Sequence, residues 1–402
     1  CYNEDRCYNE DRCYNEDRVN RVTMKLKLEI TATDGLARTG VVSTARGSFA
    51  TPVFMPVGTR GAIRGFSTHE LAGLRTLQGT SAEILLANTY HLMLRPGAET
   101  VAALGGLHSF TGWSGHMLTD SGGYQVFSLA PKVTAEGARF KSTYDGTSYM
   151  LTPEGAVKTQ ELLGADMQMV LDVCAPLPSS ESVLREAVET TAAWAARARS
   201  AHHRTHDQAL LGIVQGGDNI MLRRESAQRT VALDFDAYAV GGLSVGETRE
   251  RMLPALQAAL AELPADQPRY LMGVGDPLSL LEAVSLGVDM FDCVLPTRLA
   301  RHGTLLTNTG RLNIKRAEFA RSEDPVDPNC PCATCTNYPR GLLRHLSCLG
   351  ESTAHTLCTI HNLTWILGFV DQIRSSIASG QLALMRQQVE SVWSTMGPGL
   401  GE

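Results

Sequence analysis

The chain has 402 residues, of which 43% are hydrophobic and 19% are charged, a composition typical of a globular protein and unlike that of a wholly disordered one. No apolar run approaches the roughly 18 residues that a membrane-spanning helix needs, so we expect no membrane segment. The formal net charge of −6 argues against a generally basic nucleic-acid binder.

The first 18 residues repeat the hexamer CYNEDR three times, and we interpret them as an added tag or an artefact. Each repeat carries one Glu, one Asp, one Arg and one Cys, so the chain without the repeats has a net charge of −3 and seven cysteines. We place the natural start near Met24. Because no targeting segment is recognisable and most of the remaining cysteines are scattered, we expect a cytoplasmic protein.

Alternating polar and apolar residues at 25–30, a turn signal at Asp34-Gly35 and segments at 41–43 and 48–57 predict antiparallel strands that lead into a first buried strand. Short apolar runs then recur at intervals that leave room for a helix, at residues 53–57, 83–87, 116–119, 167–171, 210–214, 238–240, 270–273 and 288–291. Helix-like segments lie between several of these runs, at residues 181–202, 219–233, 248–261 and 277–286.

Eight buried strands that alternate with helices predict an α/β fold, a (β/α)8 TIM barrel, with a doubly wound open sheet as the alternative. Polar residues or glycines follow most of the runs on their C-terminal side, at Asn88, Asp120, Asp172, Gln215, Gly241-Gly242, Gly273 and Asp292. Turns also favour Asp, Asn and Gly, so any one of these residues alone is more simply a turn former. Three aspartates and a glutamine at equivalent strand ends favour an active site at the C-terminal rim of a barrel.

The pattern changes after the eighth run. Residues 303–307 and 311–314 flank Asn308-Thr309-Gly310 and predict a hairpin, and residues 322–329 predict a loop. Residues 352–379 and 381–394 predict helices. We therefore divide the chain as follows: a catalytic barrel at residues 24–321 and 376–396, and a zinc-binding subdomain inserted near the last helix at residues 322–375.

Three cysteines lie within six residues, at Cys330, Cys332 and Cys335. Thiolates at this spacing can face one ion, and tetrahedral Zn²⁺ needs a fourth ligand. His361 is the first choice for that ligand, and the alternatives are His345, Cys348, His355 and Cys358. Three cysteines and one histidine close the coordination sphere, so we predict one structural Zn²⁺ ion. Free thiols or a disulfide are the alternatives to a metal.

Two motifs carry candidate catalytic carboxylates. TDSGGYQVFS places Asp120 at a strand end before two glycines, which let the backbone approach a flat ligand on which Tyr124 could stack; a tight turn with a core aromatic is the alternative. DMFDCVLPTR ends the last strand at Asp292. One carboxylate can attack an acetal carbon while a second handles the proton, so we pair Asp292 with Asp120. We interpret Asp289 as a solvated or capping carboxylate.

Six basic residues lie between residues 294 and 321, directly after Asp292, and Glu318 is the only acidic residue in that range. They are Arg298, Arg301, Arg311, Lys315, Arg316 and Arg321. Such a patch can bind phosphates although the whole chain is acidic, and a solvated face with neutralising neighbours is the alternative. The segment GGLSVGE at 241–247 lacks the lysine of a phosphate loop and fits backbone contact with a planar ligand equally well.

Together these motifs closely resemble those of the tRNA-guanine transglycosylases, the queuine tRNA-ribosyltransferase family. The resemblance extends from about Met24 to Ser394 and rests on TDSGGYQVFSL, DVCAP, GIVQGG, AVGGLSVGE, YLMGVG, FDCVLPTR and CPCATC. It implies a (β/α)8 barrel with a zinc-bearing insertion. It also implies removal of guanine from wobble position 34 of tRNAs with a GUN anticodon (Asp, Asn, His and Tyr) and installation of a 7-deazaguanine.

By the pattern of that family, Asp292 would attack the ribose anomeric carbon and form a covalent tRNA intermediate. Asp120 would act as general acid/base, oriented by Asn88 and Ser121. The remaining matched residues would bind the base: Asp172 reads its N–H edge, Gln215 and the Gly242 N–H hold its carbonyl oxygen, the Leu243 carbonyl receives an aminomethyl group, and Tyr124 and Met272 sandwich the ring.

The resemblance also implies partners. Arg298 and Arg301 would contact the anticodon loop, and the zinc module would support docking and contacts in a homodimer. Val245 matches the bacterial form, whereas eukaryotic catalytic subunits carry glycine there to admit queuine, so we predict 7-aminomethyl-7-deazaguanine as the incoming base. The alternatives from other functional classes are a non-catalytic tRNA-binding subunit of this fold and a zinc-dependent hydrolase on a barrel.

Overall fold

The computed structural model describes residues 26–394. The CYNEDR repeats and the expected start near Met24 lie outside the described residues. No helix within residues 26–394 combines the length and the apolar character needed to cross a membrane.

The chain opens with a three-stranded antiparallel sheet formed by Lys27–Asp34, Ala37–Thr44 and Gly47–Thr51, which confirms the predicted strand type. The predicted strand at 48–57 is divided at Pro52, and its second half becomes the first barrel strand.

An ion pair ties this sheet to the N-terminal end of the barrel. The Arg38 guanidinium donates to both carboxylate oxygens of Asp289, with Nε–Oδ1 at 2.8 Å and Nη2–Oδ2 at 2.6 Å. Our interpretation of Asp289 as a solvated or capping carboxylate is therefore wrong, because its side chain is fully buried and forms a bidentate ion pair with Arg38.

A parallel barrel occupies the centre of the fold, and it confirms the predicted architecture. Its eight strands within the described chain, here called the first to the eighth barrel strand, are Val53–Pro56, Ile84–Ala87, His116–Thr119, Met167–Met169, Ala209–Val214, Ala237–Val240, Arg269–Leu271 and Met290–Cys293. Each of these strands overlaps one of the predicted apolar runs. The first strand pairs with the eighth, and a parallel bridge between Val57 and Leu86 joins it to the second. The sheet therefore closes, which excludes the open-sheet alternative.

Helices surround the barrel, and the predicted ones agree with the structure to within about two residues at each end. Over residues 26–394 the α-helices are Thr68–Gly73, Thr89–Leu94, Ala98–Ala103, Gly106–Thr111, Gly123–Phe127, Pro153–Leu163, Glu181–Ala201, Ile220–Val231, Arg249–Leu260, Pro277–Ser285, Leu295–His302, Ala333–Asn337, Arg340–Leu349, Ser352–Ala378 and Leu382–Trp393. A 3-10 helix spans Ala317–Arg321. A small antiparallel sheet that the sequence pattern did not predict follows the third barrel strand and consists of Lys132–Val133, Ala138–Lys141 and Ser148–Leu151.

The late part of the chain has the predicted hairpin, formed by Thr304–Thr307 and Gly310–Asn313, and the predicted loop before the cysteines. The helix Ser352–Ala378 connects two regions. Its first half carries His361 beside the cysteines, and its second half places Phe369 and Ile373 in the barrel core. The predicted domain boundary between residues 375 and 376 lies inside this continuous helix.

Candidate active site and cysteine cluster

Asp120 lies directly after the third barrel strand, and its carboxylate is held by donors from the loop after the second strand and from its own turn. Oδ1 accepts hydrogen bonds from the Thr89 N–H at 2.9 Å and the Gly122 N–H at 3.0 Å. Oδ2 accepts from Asn88 Nδ2. Burial raises the pKa of Asp120 to about 7. The negative charge of Asp292 also raises this pKa, whereas the three donors lower it. The side chain can therefore exchange a proton near neutral pH.

Asp292 lies on the eighth barrel strand at the same rim. Its Oδ1 accepts from the Tyr270 hydroxyl at 2.5 Å and from the Gly273 N–H at 2.8 Å. Burial raises the pKa of Asp292, and the two donors lower it by stabilising the carboxylate. Burial and the charge of Asp292 raise the pKa of Tyr270 well above its usual value, so the phenol remains a donor.

Asp172 follows the fourth barrel strand and forms a polar edge with its neighbours. Gln215 Nε2 donates to Asp172 Oδ2 at 2.6 Å, and Ser121 Oγ donates to Oδ1 at 3.3 Å. Burial raises the pKa of Asp172 to about 6. Ser121, which we expected beside Asp120, thus hydrogen-bonds Asp172 in this structure.

The glycine-rich loop after the sixth barrel strand borders this polar edge. Gly242 adopts a φ of +62°, and a Cβ atom there would lie 2.2 Å from Gln215 Oε1, so the position needs glycine. The Glu247 carboxylate accepts from the Ser244 N–H and from the Val245 N–H, the latter at 3.1 Å, and this closes the loop on itself.

The predicted ring-stacking residues lie at the rim. Tyr124, on the short helix Gly123–Phe127, leaves 62% of its surface exposed. Met272 directly follows the seventh barrel strand and is half-buried, and Leu243 is buried in the glycine-rich loop. An exposed aromatic ring and a partly buried thioether at the barrel rim can both cover a flat ligand.

The arginines after Asp292 have different neighbours. Burial and the nearby charges of Arg64 and Arg298 lower the pKa of Arg301, so these three arginines lie close together. Arg311 instead faces Asp276, with Nη2 and Oδ2 3.8 Å apart, and Arg316 faces Glu318 at 3.5 Å. The neutralised-face alternative therefore describes Arg311 and Arg316, and Arg64 is an additional basic residue that the pattern after Asp292 does not show.

The cysteine cluster converges as predicted, with His361 as the fourth member. One ligand atom from each of Cys330, Cys332, Cys335 and His361 lies within 4.8 Å of all the others. His361 Nδ1 is 3.2 Å from the Cys335 sulfur and 3.7 Å from that of Cys332, close to the ~3.6 Å that tetrahedral zinc geometry gives for an S···N pair. His361 Nε2 donates to the Leu306 carbonyl at 2.7 Å, which leaves Nδ1 as the free lone pair. The donor set thus fits a metal ion.

The sequence pattern does not mark three residues beside these groups as functional. Tyr270 lies in a predicted strand, Glu247 in the glycine-rich segment, and Arg223 in a predicted helix. A polar side chain embedded in an apolar run, as Tyr270 is, was the one available signal. The contacts themselves join residues distant in sequence and were not accessible from local pattern.

Comparison with known proteins identifies the family to which the chain belongs. A family model described as queuine tRNA-ribosyltransferase matches residues 33–395. The chain is 47% identical over 359 residues to the queuine tRNA-ribosyltransferase of Symbiobacterium thermophilum, covering 89% of this chain and 88% of the relative. It is equally 47% identical to the proteins of the same name from Solidesulfovibrio magneticus, over 90% of this chain and 96% of the relative, and Geobacillus kaustophilus, over 88% and 92%. The chain therefore belongs to the queuine tRNA-ribosyltransferase family of pentosyltransferases.

Proposed function

We propose that the chain exchanges guanine at wobble position 34 of tRNAs with a GUN anticodon, those for Asp, Asn, His and Tyr, for 7-aminomethyl-7-deazaguanine. The observation that carries this proposal is the pair of rim carboxylates with different surroundings. Burial raises the pKa of Asp120 to about 7, near the pH at which a proton can be exchanged, and the Asp292 carboxylate receives the Tyr270 phenol and a backbone N–H. Two carboxylates with different partners at one rim can divide the roles of proton donor and nucleophile.

In the first half of the reaction, an Asp292 carboxylate oxygen attacks the ribose anomeric carbon. The bond from that carbon to the base nitrogen breaks, its electron pair stays on guanine, and guanine takes a proton from the neutral form of Asp120. In the second half, the incoming base gives its N–H proton to the Asp120 carboxylate, and its nitrogen attacks the anomeric carbon and releases Asp292. The covalent intermediate retains the glycosidic bond energy, so no nucleotide cofactor is needed.

The base would lie against the polar edge formed by Asp172, Gln215 and the glycine-rich loop. Asp172 accepts from the ring N–H and the exocyclic amine, while Gln215 and the Gly242 N–H donate to the carbonyl oxygen. The Leu243 carbonyl accepts from the aminomethyl group of the incoming base, and Val245, where eukaryotic catalytic subunits carry glycine, favours this base over the larger queuine. Tyr124 and Met272 cover the two faces of the ring. The target nucleotide must be turned out of the anticodon stack to reach this position.

The other components support RNA docking and the fold. Arg298 and Arg301 contact the anticodon loop through phosphate and base groups. The cysteine cluster holds one structural zinc ion through Cys330, Cys332, Cys335 and His361, and it links the hairpin to the long helix that also packs on the barrel. The family resemblance supports a homodimer, and a cytoplasmic setting would bring the enzyme together with its tRNA.

The decisive experiment is incorporation of labelled guanine into a tRNA with a GUN anticodon, with a tRNA of another anticodon as control. Absence of incorporation by well-folded protein would overturn the proposal and favour a non-catalytic tRNA-binding subunit. Denaturing gels should also show a protein–RNA adduct for the wild type and none for Asp292→Asn. An adduct that persists in Asp292→Asn would overturn the nucleophile assignment. Chemistry that stops on chelation while the fold stays equally stable would instead favour a zinc-dependent hydrolase.

A further inference from the structure

A buried guanidinium lies beneath the glycine-rich loop of the base pocket. Arg223, on the helix Ile220–Val231, has no exposed surface. Its hydrogen bonds all go to backbone carbonyl oxygens: Nε to Gly217 at 2.6 Å, Nη1 to Val214 at 3.0 Å and Gly241 at 2.7 Å, and Nη2 to Gly242 at 2.9 Å. A planar guanidinium can hold several carbonyls in fixed directions at once, which an ammonium group cannot do.

This anchoring dictates where the loop presents its N–H groups. In a trans peptide the N–H points opposite to the C=O of the same plane. Because Arg223 holds the Gly241 carbonyl, the Gly242 N–H points away from Arg223. No acceptor for the Gly242 N–H lies among residues 26–394.

The polar edge borders the same two glycines of this loop. A Cβ atom added to Gly241 would lie 2.8 Å from Gln215 Nε2, and one added to Gly242 would lie 2.2 Å from Gln215 Oε1. The Gln215 side chain therefore packs directly against the backbone of the loop. Gln215 itself is oriented by Asp172 through its 2.6 Å hydrogen bond.

We infer that Arg223 is a positioning residue for base selection: it aims the Gly242 N–H at the carbonyl oxygen of a 6-oxopurine. This inference rests on the proposed base exchange. A donor held rigidly by a buried charge stabilises a base that carries the 6-oxygen, and it contributes nothing to a base that lacks this oxygen. Arg223 acts through the loop and does not touch the base.

The test compares guanine with 2-aminopurine, which lacks the 6-oxygen, in the labelled-guanine exchange assay with full-length enzyme. We expect Arg223→Lys to raise the KM for guanine by about tenfold and to change the inhibition constant of 2-aminopurine by less than about twofold, with the KM for tRNA unchanged. The matched control is Arg38→Lys, a buried arginine at the opposite end of the barrel. It should lower thermal stability without a selective change for guanine.

Equal weakening of guanine and 2-aminopurine in Arg223→Lys would overturn the inference, because a merely structural role would affect both bases. Arg223→Gln offers a second variant with the same expected selectivity. A third measurement needs no variant: in the wild type, guanine but not 2-aminopurine should protect the Gly242 amide from hydrogen–deuterium exchange, and equal protection by both overturns the inference. A wild type that shows selective protection but exchanges no base would refute the proposed function and leave this inference standing.

Discussion

Replacing Asp120 by Asn should stabilise the fold increasingly as the pH rises. A carboxyl group with a pKa raised by folding holds its proton more tightly in the folded state, so folding stability falls as the pH rises from the unfolded pKa to the folded one. For Asp120 this window runs from 3.8 to about 7. An amide does not titrate, so the Asp120→Asn variant does not lose folding stability through this group as the pH rises.

The magnitude follows from those two pKa values. Relative to a neutral side chain, ionisation of Asp120 destabilises the folded state by about 2 kcal/mol at pH 5.5 and by about 4 kcal/mol at pH 8. The free energy of unfolding of Asp120→Asn minus that of the wild type should therefore grow by about 2 kcal/mol between these pH values. The amide also places an N–H₂ group against the Asn88 donor, but that cost does not depend on pH and cancels from the difference.

Urea unfolding followed by tryptophan fluorescence at several pH values between 5.5 and 8 measures this difference. Asp172→Asn serves as a comparison with a smaller expected effect. Because the folded pKa of Asp172 is about 6, the difference in unfolding free energy from the wild type should grow by only about 1 kcal/mol over the same pH range. A difference for Asp120→Asn that stays flat with pH would refute the argument from desolvation. A difference that falls with rising pH would show that the site stabilises the carboxylate instead.

Further predictions concern the nucleophile, the metal and the RNA. Tyr270→Phe removes one hydrogen bond to the carboxylate of Asp292 and should slow adduct formation in single-turnover gels by about tenfold, with the KM for the base unchanged; an unaltered rate would contradict a role for the phenol. Chelation of zinc, or Cys335→Ser, should lower the melting temperature in calorimetry, and an unchanged value would contradict a structural metal. Arg298→Ala and Arg301→Ala should each weaken tRNA binding and reduce the salt dependence of log Kd by about one phosphate contact, whereas an unchanged slope would place them off the RNA path.

Local sequence was sufficient to predict the barrel because its signals are short-range. Each barrel strand is an apolar run that ends in a polar residue or a glycine, and helices of ordinary length separate most of them. The spacing of Cys330, Cys332 and Cys335 similarly predicted a shared site. The choice of His361 over its rivals was a hypothesis from the sequence, and the structure brings it to the cysteines.

Charged side chains were harder to interpret. The sequence suggests that Asp289 is a solvated or capping group. The side chain is instead buried, and Arg38, 251 positions away, forms a bidentate ion pair with it. Arg311 looked like part of an RNA-facing patch, yet it faces Asp276. Whether a charge is solvated, paired or exposed to a ligand depends on which elements the fold brings next to it.

The sequence by itself therefore determined the strand order, the rim position of Asp120, Asp172 and Asp292, and the cysteine motif, because periodicity and spacing are properties of neighbouring residues. Only the tertiary structure decided which donors each carboxylate receives, because these donors are distant in the sequence. Gln215 lies 43 residues from Asp172, and Tyr270 lies 22 residues from Asp292. Burial raises the pKa of both Asp120 and Asp292 while the donors to each carboxylate oppose the rise, and such effects exist only once the barrel has closed.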